Sequence, residues 1–192
     1  MLAANDAPHL PTAAAYFEWE AQQPEKYEYI DGRVYAMSGG SVNHGRLAIR
    51  LTSLFDTHLD GTNCIPGNSD IKIEIAGTQN YTYPDASVTC DDRDKANPNY
   101  FTYPCLIVEV LSKGTEAYDR GGKFRLYRRN PALRDYLLVS STRVEMDLYS
   151  RADSGDWTIV NYQAGDTIEL RSIGLSFAIE QIYRGLELTP ER

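Results

Sequence analysis

Residues 104–112, PCLIVEVLS, form the most apolar run of the chain, and one acid, Glu109, stands inside it. A short run this rich in Val, Leu and Ile reads as a strand buried on both faces, the centre of a sheet that needs cover on each side. The carboxylate is the constraint. Moving an ion from water into an apolar sheet costs several kcal/mol unless it is paired or bound to a metal. Either the strand ends near Glu109, where the sheet opens to water, or other parts of the chain supply a partner.

The flanking sequence has the elements such a sheet needs. Thr12 caps a short helix, TAAAYFEWEAQ, closed by Pro24. YEYIDGRVYAM is a hairpin around Asp31-Gly32, because Asp-Gly supplies the positive φ values of a tight type I′ turn. In SVNHGRLAIRLTSLFDTHLDG, Leu47, Leu51, Leu54, Phe55 and Leu59 recur at helical spacing, and Gly61 closes the helix. DIKIEIAG alternates as a strand does, and YPDASVTC opens on Pro84, a residue tolerated at a strand start. A helix over 116–130 follows the central strand and ends at Asn130-Pro131. DYLLVS, RVEMDLYS, DWTIVNYQ and DTIELRS read as further strands, and FAIEQIYRGL as a terminal helix. Helices, a sheet core, a crossover helix and more strands make an α/β or α+β domain on a mixed sheet. At 192 residues, one domain over 1–192 is the expectation.

Charge and cysteine content bound the function. The formal net charge of −8 disfavours non-specific binding to nucleic acid. Yet six basic residues and no acid lie between Arg120 and Arg134, so a local patch outweighs the total. No apolar stretch approaches the roughly 18 residues of a membrane span. The N-terminal MLAANDAPHLPTAAAY lacks the basic and apolar regions of a secretory signal. The three cysteines, Cys64, Cys90 and Cys105, are odd in number, far apart and without a C-x-x-C pair, so neither a disulfide framework nor a zinc site is expected. The cytoplasm is the expected compartment.

Three residues could make one site. Asp85 stands at the head of a strand, where an aspartate that points into solvent is the simpler account. Glu109 is the acid of the central strand. Lys123 lies at the border of the helix stripe that packs on the sheet, where a lysine either snorkels to water or presents its ammonium at the sheet's edge. Two carboxylates on successive strands suit a hard divalent cation, and a nearby ammonium can steady an attacking water or the charge building on a phosphate. Acid, acid and ammonium around a metal is a phosphodiester-hydrolysis set.

These residues carry a resemblance. Pro84-Asp85 followed by Glu109 in an apolar strand resembles the PD-(D/E)XK nuclease superfamily. More narrowly, E-Y-I-D-G at 28–32, P-D at 84–85 and V-E-V-L-S with the downstream Y-D-R-G-x-K-F-x-x-Y are similar to the Uma-type restriction endonucleases, over roughly residues 13–185. The resemblance implies a restriction-endonuclease-like fold, a mixed sheet core flanked by helices with additional β-hairpins. It also implies a DNA-cleaving hydrolase that uses Mg2+ or Mn2+ and works as a homodimer. Asp85 and Glu109 would bind the metal, with help from the Val110 carbonyl, and Lys123 would position the water. A strict E-x-K would put lysine at 111, where this chain has Leu111, so the choice falls on Lys123 over Lys113. Arg120, Arg125, Arg128 and Arg129 are candidates for gripping the DNA backbone. Glu28, His44 and Asp70 are weaker candidates. Glu28 also suits a cross-strand pair with Lys26 or Arg33, His44 a capping or core role, and Asp70 an outward-facing strand position. The alternative function is a non-catalytic binding or assembly module of the same fold, and a third is a β-rich small-ligand domain in which the three residues lie apart.

Overall fold

The computed structural model describes residues 8–37 and 39–188. Seven of the residues on which the secretory-signal reading rests, 1–7, lie outside that range. Helix α1 (Ala13–Glu20) starts at Thr12, whose side chain accepts from the Ala15 amide. Strands β1 (Tyr27–Ile30) and β2 (Arg33–Ala36) form the expected hairpin, with φ of 50° at Asp31 and 82° at Gly32. Helix α2 (Val42–Leu59) begins at its N-cap Ser41 and buries Leu47, Leu51, Phe55 and Leu59.

Next come β3 (Ile65–Asn68), β4 (Lys72–Ile75), β5 (Asn80–Thr82), β6 (Ala86–Thr89), α3 (Asp92–Lys95), β7 (Tyr100–Phe101) and β8 (Pro104–Leu111). The helical segment after β8 is α4 (Glu116–Tyr118), a π-helical turn over Asp119–Lys123, and α5 (Phe124–Tyr127). The chain closes with β9 (Asp135–Ser140), β10 (Glu145–Arg151), β11 (Trp157–Gln163), β12 (Thr167–Leu170), β13 (Leu175–Ala178) and α6 (Ile179–Tyr183).

Two mixed sheets carry the fold. One runs β2-β1-β5-β4-β7, and the other runs β11-β10-β9-β8-β6-β3. In the larger sheet β8 and β9 are parallel, Glu109 opposite Leu138, while the remaining pairs are antiparallel. A parallel pair cannot be joined by a tight turn, so the helical segment 116–127 serves as the crossover. β12 and β13 form a separate hairpin.

Strand β8 is buried on both faces. Val108 and Val110 pack with Leu47, Leu51 and Phe55 of α2. Ile107 and Leu111 pack with Tyr127 of the crossover and with Tyr136 and Leu138 of β9. Each of these fully buried side chains contributes roughly 1.5–3 kcal/mol. The smaller sheet and α1 enclose a tyrosine core in which Tyr16 stacks on Tyr29 at 5.0 Å between ring centroids.

Three sequence expectations need correction. The 116–130 helix is not continuous: a π turn widens it at 119–123, and its last turn ends at Tyr127. Phe177 and Ala178 belong to β13, not to the terminal helix, because Leu175 and Phe177 alternate into the core and Phe177 pairs with Ile168. The cysteines are not all free. Cys64 and Cys90 flank the antiparallel pair β3–β6, where Ile65 faces Thr89, so 26 residues of sequence separation collapse to 4.0 Å between Cα atoms and the two are joined as a disulfide. Cys105 stays free, with its Sγ 3.7 Å from that of Cys90. Among the described residues, no helix is long and apolar enough to cross a membrane.

Candidate active site

Glu109 has a partner. Its Oε1 accepts from Lys123 Nζ at 2.9 Å and from the Tyr127 hydroxyl at 3.0 Å. Because Glu109 alternates with Val108 and Val110, its side chain leaves β8 toward the crossover, and the crossover delivers both donors. Lys113 is exposed in the turn beyond the strand. The lysine that reaches the strand acid therefore comes from the helical segment.

Lys123 is almost wholly buried, and its ammonium also lies 3.0 Å from Glu28 Oε1 of β1 and 3.8 Å from Asp119 Oδ1. Glu28 does not pair with Lys26 or Arg33. It stands opposite Tyr35 in the hairpin, and its Oε1 accepts from the Tyr83 amide at 3.2 Å, while Oε2 is buried without a hydrogen-bond partner. Asp85 is held from two sides. The Val110 amide donates to its Oδ2 at 2.7 Å, and His44 Nε2 lies 3.3 Å from the same oxygen. The Val110 group that meets Asp85 is thus its N–H.

Four carboxylates, those of Glu28, Asp85, Glu109 and Asp119, line one cavity of about 350 Å3 together with Lys123 and His44. Negative charge is in excess there, and the protonation behaviour follows. Burial pushes the Glu109 carboxyl well above the usual carboxylate range, with Lys123 opposing and Asp119, Asp85 and Glu28 adding to the rise. Burial alone would lower Lys123, but Glu109, Glu28 and Asp119 together hold its ammonium well above its ordinary value. It stays charged at neutral pH. Burial likewise works against a charged His44, and Asp85 outweighs it, so the imidazole pKa is raised.

The sequence candidates divide cleanly by place. Asp85, Glu109, Lys123, Glu28 and His44 face the same cavity. Asp70 does not: it is exposed and paired with Lys26 at 2.5 Å. Arg120 is tied to Glu116 at 2.8 Å and to Asp147, whereas Arg125, Arg128 and Arg129 are exposed. Sequence reasoning missed Asp119 and Tyr127 as members of the cluster. Their signal was spacing, since both lie four residues from Lys123 and so share its side of the helix.

The donor set suits a hard cation that binds through oxygen. The cavity offers carboxylates without a thiolate, and Glu28 Oε2 is a buried acceptor with nothing to accept from. Among the described residues no three His, Cys, Asp or Glu side chains are drawn together as a ready-made metal cage. Such a site would hold its ion with one or two carboxylates and rely on waters for the rest, the habit of magnesium.

Comparison with known proteins agrees with this architecture. Residues 13–180 match the family described as "Uma2: Putative restriction endonuclease". "Uncharacterized protein slr1290" of Synechocystis sp. (strain ATCC 27184 / PCC 6803 / Kazusa) is 65% identical over 171 residues, 89% of this chain and 90% of that one. A second protein of that organism, "Uncharacterized protein sll1609", is 31% identical over 161 residues, 83% of this chain and 90% of its own. A crystal structure from Anabaena variabilis ATCC 29413, described as "a putative nuclease belonging to DUF820", superposes with a TM-score of 0.73. It covers 90% of this chain and 97% of its own at 14% identity, which makes it a likeness of fold.

Proposed function

The chain belongs to the Uma2 family, and from that premise we propose that it is a divalent-metal-dependent endonuclease acting on DNA. The observation that carries this reading is the convergence of Asp85 from the head of β6, Glu109 from β8 and Lys123 from the crossover on one cavity. Asp85 and Glu109 are the proposed holders of Mg2+ or Mn2+, with waters completing the coordination. When bound, the ion supplies Lewis-acid stabilisation of the phosphoryl oxygens and a more acidic water.

The protein's own groups do the positioning. Val110 N–H and His44 fix the Asp85 carboxylate, and the Tyr127 hydroxyl fixes Glu109. Lys123 is kept charged by its acidic neighbours, so it donates: it orients the attacking water and stabilises negative charge on the phosphate. The exposed Arg125, Arg128 and Arg129 are proposed to add phosphate contacts around the crossover.

Incubating purified protein with DNA and Mg2+ or Mn2+ tests the assignment. Cleavage that disappears in EDTA and in Asp85→Asn is expected; wild type no more active than Asp85→Asn refutes it. One observation favours a second reading, a non-catalytic module of the same fold. Lys123 is already engaged by both Glu109 and Glu28, and the cavity is net acidic. A calorimetric titration separates the two, since an abandoned site gives no heat with either cation.

A further inference from the structure

The ends of the two large sheets are not alike. β7 is two residues long and β2 and β3 are four, β3 carries Pro66, and β2 is bridged by His9 at Arg33. Short length, proline and cover are the usual guards of a sheet edge, whose unpaired N–H and C=O groups would otherwise pair with another chain. β11 has none of them. It runs for seven residues, WTIVNYQ, without proline, charge or a bulge in its register with β10.

Among the described residues β10 is the only strand paired with β11, so alternate backbone groups along the outer side of β11 face solvent. Its side chains are open too. Ile159 is 60% exposed and Val160 45%. Successive residues of a strand point to opposite faces, so this apolar surface wraps round the edge. Toward the two ends of the strand, Trp157 and Tyr162 are half-buried against the two cores and hold it in place.

The charge pattern selects the occupant. The chain carries a net charge of −8, so two copies repel each other on average. Residues 157–163 are a neutral stretch, and no register of that stretch against itself sets like charges opposite each other. Antiparallel self-pairing about a two-fold axis is self-complementary and closes at two copies. Pairing β11 with the opposite edge, β3, would leave open ends, and Pro66 there removes a donor.

We propose that β11 is the interface for a second copy of this chain, the two strands pairing antiparallel so that the larger sheets join into one. All seven residues overlap when Val160 lies opposite Val160 of the second copy. Ile159 then faces Asn161, Thr158 faces Tyr162, and the flanking Asp156 comes opposite Ala164 instead of another acid. No β11 residue lines the cavity of Asp85 and Glu109, so the pairing does not draw on it. The dimer stands whether or not that cavity cuts DNA.

Analytical ultracentrifugation of the full chain tests this. Wild type is expected at twice the mass of one chain, and Val160→Lys is expected to raise the dimer Kd about tenfold or more, since two lysines then meet at the axis. Lysine is at home on a sheet edge, and circular dichroism checks that the variant folds. Mild oxidation of Val160→Cys gives an independent readout, which decides the matter should the lysine variant not fold. Opposed Cα atoms in an antiparallel pair lie about 4.5–5.5 Å apart, within the span of a disulfide, so a covalent dimer should form. Asp153→Cys, in the exposed turn before the strand, has no copy of itself in reach and should stay a single chain on a non-reducing gel. Wild type that is monomeric at about 100 μM, or that assembles beyond a dimer, overturns the proposal. So does a dimer unmoved by Val160→Lys, or equal cross-linking at 153 and 160.

Discussion

Lys123 and Glu109, 14 residues apart in sequence, meet at 2.9 Å with both side chains less than a tenth exposed. An ion pair this deep does not have to add net stability, because desolvation offsets much of the attraction. Breaking it is another matter. Lys123→Met strands the Glu109 and Glu28 carboxylates and is expected to cost about 3–5 kcal/mol in urea unfolding. Adding Glu109→Gln should restore part of that loss. A single variant as stable as wild type contradicts the pairing.

Metal should be visible in stability before it is visible in catalysis. A cation that binds only the folded protein adds about 2.7 kcal/mol at a hundredfold excess over its Kd. Mn2+ is expected to raise the wild-type melting temperature relative to EDTA, and Asp85→Asn to lose that increment. Equal shifts in the two proteins count against Asp85 as a holder of the ion.

Asp119 gives a pH-dependent prediction. Burial is the leading cause that lifts its carboxyl above the ordinary value of 3.8, with Lys123 pulling the other way and Glu28 and Asp85 adding to the rise. A carboxyl whose pKa is higher in the fold than in the unfolded chain costs stability where it is ionised. It costs nothing below the unfolded-state value, where both states carry the proton. Asp119→Asn should therefore raise the melting temperature at neutral pH by roughly 2 °C or more. That advantage over wild type should shrink to nothing as the pH falls below the unfolded-state value.

The cysteines can be counted chemically. Burial pushes the Cys105 thiol up to about 12, which leaves a thiolate fraction of about one part in ten thousand at pH 8. Native protein should resist iodoacetamide. Denatured but unreduced protein should take up one label at Cys105, and reduced protein should add Cys64 and Cys90, as mass spectrometry would report. Uptake at all three positions without reductant would show that the disulfide is absent.

Much of this was legible in the sequence because local chemistry decides it. Asp31-Gly32 dictates its own turn, Thr12 its own cap, and the Leu47-Leu51-Phe55 spacing its own buried face. Glu109 announced a buried partner by being an acid where none is comfortable. What stayed hidden was what only the third dimension brings together. Cys64 and Cys90 become neighbours through strand pairing, and the short strands β3, β5 and β7 have too little periodicity to stand out. Glu28 was ambiguous because a hairpin acid has several partners in reach. Only the docking of the crossover selects Lys123, whereas the Tyr83 amide reaches Glu28 from a different loop.

The widened turn that ends in Lys123 has a wider meaning. A lysine two places along the strand from Glu109 would hold its post whatever the neighbouring helix did. Here Leu111 takes that strand position and packs in the core, so the ammonium arrives on a separate piece of chain. The contact between Lys123 and Glu109 is therefore a latch as well as part of the proposed site. Lifting the crossover even slightly would separate ammonium from carboxylate while leaving the sheet intact, which makes the seating of one short segment an on–off condition for the chemistry proposed for the cavity.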